Sequence, residues 1–186
     1  MYTDSTKVII RVAKMLYPNV FKSKSFRGED PKYSARILIP KLDDITVKKI
    51  KTAIQEAYKN NESALKGNEQ NVPPIEKLKL PLHDGDKEKP GDKNYSNTYF
   101  INANSRNAPE IIDKNKNPIT DENEIYSGVI CAVSLHFFAY NVNGNKGIGC
   151  SLGNIMKVKD GERISTRISA ADDFANLDDD DFDFSF

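Results

Sequence analysis

Residues 128–140, GVICAVSLHFFAY, constrain the fold most strongly because their side chains alternate between two faces. Apolar residues occupy one face of this segment, namely Val129, Cys131, Val133, Leu135, Phe137 and Ala139. Ser134, His136, Phe138 and Tyr140 fall on the other face, so the segment predicts a strand with one buried side. The Asn-Gly pair of the following NVNGNKG predicts a hairpin turn, and residues 147–158 predict the returning strand.

Three further segments have the composition of short strands. Residues 7–17 are rich in β-branched residues, and their alternation predicts Val8, Ile10 and Val12 inside with Arg11 and Tyr17 outside. Residues 32–40 alternate again, with Arg36 and Ser34 opposite the apolar face. The third predicted strand is 98–104, and residues 18–31 between the first two predict a loop because they contain two prolines and a glycine.

Residues 44–59 form the one segment with helical periodicity. Val47, Ile50, Ile54 and Ala57 make a single apolar stripe, and Asp43 or Asp44 fits the N-cap. Residues 60–97 and 105–126 have the composition of long polar loops. Dispersed short strands favour closure, which removes exposed edges. We therefore predict a mainly β protein: an OB-like closed five-stranded barrel with one α-helix and long loop excursions.

The formal net charge of zero conceals two oppositely charged parts of the chain. Residues 1–171 carry 27 basic and 20 acidic residues, a balance of +7, whereas the remaining residues carry seven aspartates and no basic residue. The acidic segment after residue 171 also has too few apolar residues to form a core. We predict a folded domain over 1–169 and a disordered acidic tail over 170–186, and the basic body predicts a polyanionic partner.

The other totals exclude several classes of protein. No run of about 18 apolar residues is present, so no membrane partner is expected. The opening MYTDSTKVII lacks the order of a signal peptide, which predicts a soluble, cytoplasmic protein. Cys131 and Cys150 form no CxxC pair and are expected to be reduced.

A stretch of interleaved aromatic and basic residues indicates the ligand. Cations follow phosphates and flat rings stack on bases, so such a mixture is typical of surfaces that hold single-stranded nucleic acid. The outer-face rings of the 128–140 strand are a second candidate platform, unless the 60–97 excursion covers them. The predicted nucleic-acid-binding residues are Arg11, Tyr17, Phe21, Lys22, Lys24, Arg27, Lys32, Arg36, Arg106, Phe138 and Tyr140.

Signals for catalysis and cofactors are weak. His83, Asp84 and Asp86 could contribute to a metal site, but Asp-Gly is first of all a turn signal. Gly147, Gly149 and Gly153 resemble a dinucleotide fingerprint, yet the spacing is one residue too long and the segment is a strand. We expect no cofactor and no enzymatic activity. A metal-dependent nucleic-acid enzyme is the alternative.

The tail has a pattern of its own. Acidic residues alone would only solubilise, whereas phenylalanines among acids suit a basic-rimmed apolar pocket on a protein partner. The same tail can also compete with DNA for the basic body. The residues predicted to bind partners are Asp178, Asp179, Asp180, Asp181, Phe182, Phe184 and Phe186. A protein-only adaptor that acts through the tail is a further alternative, and self-association remains open.

Several motifs, taken in order, match a known family. They are Tyr17-Pro18-Asn19-Val20-Phe21, the strand 32–41, residues 82–86, residues 99–103, residues 125–128, Phe138-Ala139-Tyr140-Asn141, Asn145-Lys146-Gly147 and residues 159–163. In this order the chain resembles the OB-fold single-stranded DNA-binding proteins of tailed phages. The resemblance implies an OB barrel, single-strand binding and a role in phage replication or recombination. The acidic, Phe-ended tail is similar to tails that recruit replication proteins.

Overall fold

The computed structural model describes residues 4–25 and 28–164. Its strands are β1 Lys7–Lys24, β2 Lys32–Pro40, β3 Leu82–Asp84, β4 Thr98–Ser105, β5 Ile111–Ile112, β6 Ile130–Val142 and β7 Asn145–Lys159. Its α-helices are α1 Asp44–Lys59, α2 Glu62–Lys66 and α3 Gly85–Glu88. Short 3-10 turns cover Asp4–Thr6, Ile75–Lys77, Lys93–Tyr95 and Glu122–Glu124.

Five of the strands close into a barrel. β1 pairs antiparallel with β2 and β6, β2 with β4, and β6 with β7. The circle closes where β4 and β7 run parallel and pair at Asn104 and Ser151. The order β1-β2-β4-β7-β6 is that of an OB barrel, so the predicted fold is confirmed. β3 and β5 extend the sheet outside the closed circle.

The first strand is longer and more irregular than the sequence predicts. β1 runs on through Pro18 to Lys24, so the predicted loop over 18–31 begins too early. One extra residue lies between the pairs Ile10↔Val133 and Ala13↔Cys131, and this bulge turns both Arg11 and Val12 outward. The inward placement predicted for Val12 is therefore wrong, since its side chain is 52% exposed.

The hairpin between β6 and β7 follows the sequence closely. Asn143 and Gly144 both have positive φ, 52° and 80°, as a two-residue type I′ turn requires. All six inward residues predicted for the β6 segment are buried or nearly so. The barrel interior and the apolar stripe of α1 form one continuous core, in which Ile10, Ile37, Ile50, Ile101 and Leu135 have no exposed surface.

The long excursion over 60–97 packs against the barrel and is more ordered than its composition predicts. Asn141 Nδ2 donates to the carbonyl of Ala64, and Lys146 Nζ pairs with Glu69 at 2.6 Å. The amide of Ile148 donates to the Lys79 carbonyl. The bond from Ile148 to Lys79 and the pairing of β3 with β4 hold residues 79–84 beside β7 and β4, where they form a wall above the barrel surface.

The residues that the structure describes contain neither a membrane-spanning helix nor a disulfide bond. Within 4–25 and 28–164, no helix is long and apolar enough to cross a membrane. Cys131 and Cys150 are both free and buried, and burial raises the pKa of Cys131 to about 12. The predicted tail over 170–186 lies outside the described residues.

Of the two N-cap candidates in the sequence, Asp43 and Asp44, the structure selects Asp43, and removing this cap tests the start of α1. The Asp43 carboxylate accepts a hydrogen bond from the Thr46 amide at 3.1 Å, so Asp43→Ala should lower the free energy of unfolding by about 1 kcal/mol. Urea denaturation followed by circular dichroism measures this loss. Asp43→Asn keeps a side-chain acceptor and should cost much less.

The same variant has a signed pH dependence. The hydrogen bonds from Thr46 lower the pKa of Asp43, so its ionised form stabilises the folded state. The difference between wild type and Asp43→Ala should be complete above the unfolded Asp pKa of about 3.9 and should shrink as pH falls through the lower folded value. A difference that stays constant into acid would contradict the cap.

Candidate nucleic-acid interface

A groove of about 990 Å³ lies on the outer surface of the barrel, between the 79–83 wall and the β6–β7 hairpin. We call it the outer groove. Its floor contains Asn102 and Asn104 of β4 with Gly149 and Ser151 of β7. It exists because β4 pairs with β3 over its first half and meets β7 only at Asn104, so the neighbouring elements diverge.

The charged side chains along the outer groove are all basic. Lys32, Lys79 and Arg106 line it, and His83 adds an aromatic ring. Among the described residues that line it there is no aspartate or glutamate. A concave surface with one sign of charge raises the local concentration of an oppositely charged ligand.

Two of these cations form loose ion pairs with the loop after β1. Lys32 lies 3.5 Å from Glu29, and Arg106 lies 3.6 Å from Asp30. The Arg106 side chain is 78% exposed, and exposed pairs of this kind contribute about 0–1 kcal/mol. Both cations can therefore exchange a carboxylate for a phosphate at little cost.

Two aromatic rings also line the outer groove. Phe138 and Tyr140 lie on the outer face of β6 and are half-buried. Because both rings contribute to the lining of the groove, the 60–97 excursion does not cover them completely. The groove therefore combines the two kinds of group that a single strand needs, cations for phosphates and rings for bases.

Beside the groove, planar side chains form a layer across four strands. The guanidinium of Arg36 lies 4.8 Å from the ring centre of Phe100 and 5.5 Å from that of Tyr17. On the other side of Phe100, His83 stacks on it with the ring centres 4.9 Å apart. Partial burial, with Tyr95 nearby, raises the pKa of Tyr17.

Hydrogen bonds fix the orientation of Arg36. Its Nε donates to Asn102 Oδ1 at 2.7 Å, and its Nη1 donates to the Tyr95 hydroxyl at 2.6 Å. Asn102 is itself a groove residue, so the fixed guanidinium lies next to the groove floor. A planar cation held in this way is suited to phosphate contact or base stacking.

The remaining predicted residues lie outside the outer groove. Lys24 is exposed and pairs across the ladder with Lys32 at the end of the groove. Lys22 forms an ion pair with Glu122 at 2.9 Å, and Phe21 packs partly against the core. Arg11 lines a separate depression with Lys48 and Lys49 of α1. Arg27 and the tail residues lie outside the described part of the chain.

Several residues of the outer groove and of the planar layer beside it were missed from the sequence. Phe100, Asn102 and Asn104 occupy alternate positions of TYFINAN, so the period-two pattern already placed them on one face. Lys79, His83 and Tyr95 come from the excursion, and no local pattern shows that it folds back onto the barrel. These three residues are brought to the site only by tertiary contacts.

The candidate metal ligands His83, Asp84 and Asp86 form ion pairs with different residues. Lys41 Nζ lies 2.6 Å from Asp84 and 2.8 Å from Asp86, and these contacts lower the pKa of both carboxyl groups. His83 Nδ1 instead pairs with Glu88 at 3.0 Å. Within the described residues no group of three or more His, Cys, Asp or Glu side chains is placed to hold a metal ion.

The barrel topology with a basic, aromatic-lined outer groove defines an OB-fold protein. The chain belongs to the family described as Enterobacter phage Enc34, ssDNA-binding protein, whose model matches residues 6–184. This membership confirms the family that the sequence motifs indicated.

Individual relatives agree with this assignment. The chain is 26% identical, over 92% of its length and 94% of the relative, to a putative protein p50 of Acyrthosiphon pisum secondary endosymbiont phage 1. It superimposes on the single-stranded DNA-binding protein of bacteriophage Enc34 in complex with ssDNA with a TM-score of 0.69, 23% identity, and coverage of 87% and 91% of the two chains. For gp2.5 of bacteriophage T7 the TM-score is 0.60 at 16% identity, with coverage of 88% and 97%.

Substitution of Arg36 tests the layer of planar groups. Arg36→Lys removes the guanidinium group that reaches Tyr95 and Asn102 together, so the free energy of unfolding should fall by about 1–2 kcal/mol. Chemical denaturation measures the change. Arg106→Lys, at a highly exposed site, is the matched control and should have almost no effect on stability.

Proposed function

We propose that this protein binds single-stranded DNA without catalysis and with little dependence on sequence. The observation that carries the proposal is the outer groove, where Lys32, Lys79 and Arg106 face two aromatic rings with no acidic residue in the described lining. Cations attract the phosphates of any sequence, and every base has a face that can stack.

The location of the groove supports the same conclusion. OB barrels bind oligonucleotides on the face of their second and third strands, together with the loops that join strands one and two and strands four and five. In this barrel those strands are β2 and β4, and the loops are 25–31 and the turn at Asn143 and Gly144. The outer groove lies between these elements. A relative with the same fold, the Enc34 protein, has been solved with ssDNA.

The setting we propose is phage DNA replication or recombination in the host cytoplasm. A protein that covers single strands exposed in those processes has no need for a bond-breaking site, and a groove with cations and rings is sufficient. The family membership and the phage source of the relatives support this setting.

We assign the tail two linked roles, on the basis of its sequence and its point of departure. Its aspartates and phenylalanines suit a basic-rimmed apolar pocket on a replication or recombination protein. Ile164, the last described residue, packs against Leu16, Leu38, Tyr95 and Phe100. The described chain therefore ends beside Tyr95, which holds Arg36, and we propose that the charge of the tail, which follows from residue 170, competes with DNA for the body.

Fluorescence anisotropy with a labelled oligo-dT tests the proposal. The full chain and a version ending at Ser169 are titrated at low and high salt, in the presence of EDTA. We expect tight binding that weakens steeply with salt, because each neutralised phosphate releases counterions. We also expect the shortened chain to bind more tightly, since the competing tail is gone.

Each alternative function has a distinct outcome in this experiment. Binding or strand cleavage that needs a divalent metal would indicate the nucleic-acid enzyme. If neither version binds at low salt, the proposal is wrong and the protein-only adaptor is the next hypothesis. If removal of the tail leaves the affinity unchanged, the groove remains the proposed binding site, but the tail does not compete with DNA for it.

Two single substitutions separate the phosphate and base contributions. Arg106→Ala should reduce the slope of log affinity against log salt by about 0.7, the value for one phosphate of a single strand. Phe138→Leu keeps apolar volume but removes a stacking face, so it should weaken binding by about 1–3 kcal/mol at an unchanged slope. Salt titrations of each variant measure both quantities.

The control for this pair is Lys114→Ala. Lys114 lies in the 113–118 loop, outside the outer groove. Its substitution by alanine removes the same charge from the protein as Arg106→Ala does. Its salt slope should match that of the wild type. Equal effects of Lys114→Ala and Arg106→Ala would show that net charge alone, rather than the groove, determines binding.

A further inference from the structure

Between residues 147 and 153, the outer face of β7 carries almost no side-chain volume. Alternate positions along this face hold Gly147, Gly149, Ser151 and Gly153, while the residues between them point into the core. Glycine weakens a strand because it has no side chain to pack and loses more backbone freedom on folding. Neither Gly147 nor Gly149 has a positive φ, so backbone conformation does not explain them.

The neighbouring strand shows what these glycines accommodate. Phe138 pairs directly with Gly149 across the β6–β7 ladder, and Tyr140 pairs with Gly147. A Cβ atom added to Gly149 would lie 2.6 Å from Phe138 Cζ, 2.9 Å from Cε2 and 3.1 Å from Cε1. The outer half of the Phe138 ring therefore occupies the space directly above Gly149.

Tyr140 uses Gly147 in the same way. A Cβ atom on Gly147 would lie 2.6 Å from the Tyr140 hydroxyl oxygen and 2.8 Å from Cζ. It would also lie 2.6 Å from the Lys79 carbonyl oxygen, which accepts a hydrogen bond from Ile148. Gly147 thus makes room for a ring and for the wall of the outer groove, whereas the nearest atoms above Gly149 are those of a ring.

We propose that Gly147 and Gly149 are positioning residues for nucleic-acid binding, because they let the rings of Phe138 and Tyr140 lie across β7 and turn a face toward bases in the outer groove. This inference rests on the proposed single-strand binding. A side chain at either position would push the ring edge-on into the groove, where it could not stack. The glycines that resemble a dinucleotide-binding motif in the sequence thus support a platform on which bases stack.

Gly149→Ala in the full chain is the direct test, since the three atoms nearest to the added methyl all belong to the outer end of the Phe138 ring. A base stacked on a ring contributes roughly 5- to 150-fold to affinity. We expect Gly149→Ala to weaken oligo-dT binding about fivefold or more without changing the salt slope, because the phosphate contacts remain. Binding of an abasic oligonucleotide of equal length should not change.

A double-mutant cycle shows whether Gly149 acts through the ring. In a Phe138→Ala background the added methyl meets no ring, so Gly149→Ala should cause no further loss of oligo-dT affinity. This double variant also remains informative if Gly149→Ala alone folds poorly, because removal of the ring relieves the contact. Additive losses would overturn the proposal.

A measurement on the wild-type protein needs no substitution. The ring above Gly149 should shift its Hα resonances upfield by its ring current, and oligo-dT should move these resonances while the abasic strand does not. Resonances at ordinary positions, or an equal response to both strands, would overturn the proposal.

The outcomes distinguish failure of the proposed single-strand binding from failure of the proposed role of the glycines. If the wild type fails to bind oligo-dT, the proposed function itself is wrong. If the wild type binds and Gly149→Ala binds equally well, single-strand binding stands and the glycines serve only the packing of the sheet.

Discussion

The parallel contact between β4 and β7 at Asn104 and Ser151 is the constraint on which the rest of the structure depends. It closes five strands into a barrel and so gives the apolar faces of all of them one shared interior. Because the two strands meet at this single pair and then diverge, the closure also leaves an open channel on the outside. The same contact thus accounts for both the core and the outer groove.

The outer surface around that channel is organised by planar groups. His83, Phe100, Arg36 and Tyr17 follow one another across β3, β4, β2 and β1, and Phe138 and Tyr140 lie across the neighbouring β7. Two hydrogen bonds hold the guanidinium, and glycines make room for the rings. Such a surface is prepared before a ligand arrives, which reduces the conformational entropy lost on binding.

The sequence predicted the regular parts of the fold for a physical reason. Side-chain alternation and helical periodicity are local, so the β6 segment and α1 could be located from neighbouring residues, and the cap could be narrowed to Asp43 or Asp44. The bulge at Arg11 and Val12 could not, because its extra residue is defined only by the partner strand β6. The same limit applied to β1, whose second half continues through a proline because β2 pairs with it.

The sequence by itself determined the basic body, the acidic Phe-bearing tail, the barrel strands and the chemistry of cations and rings. Only the tertiary structure decided which of those groups meet. It brought Lys32, Arg106, Phe138 and Tyr140 to one groove, and it left Arg11, Phe21 and Lys22 elsewhere. Lys79 and His83 line the groove, and Tyr95 holds Arg36, because a polar excursion folds back onto the barrel. Such long-range contacts have no periodic signature in the chain.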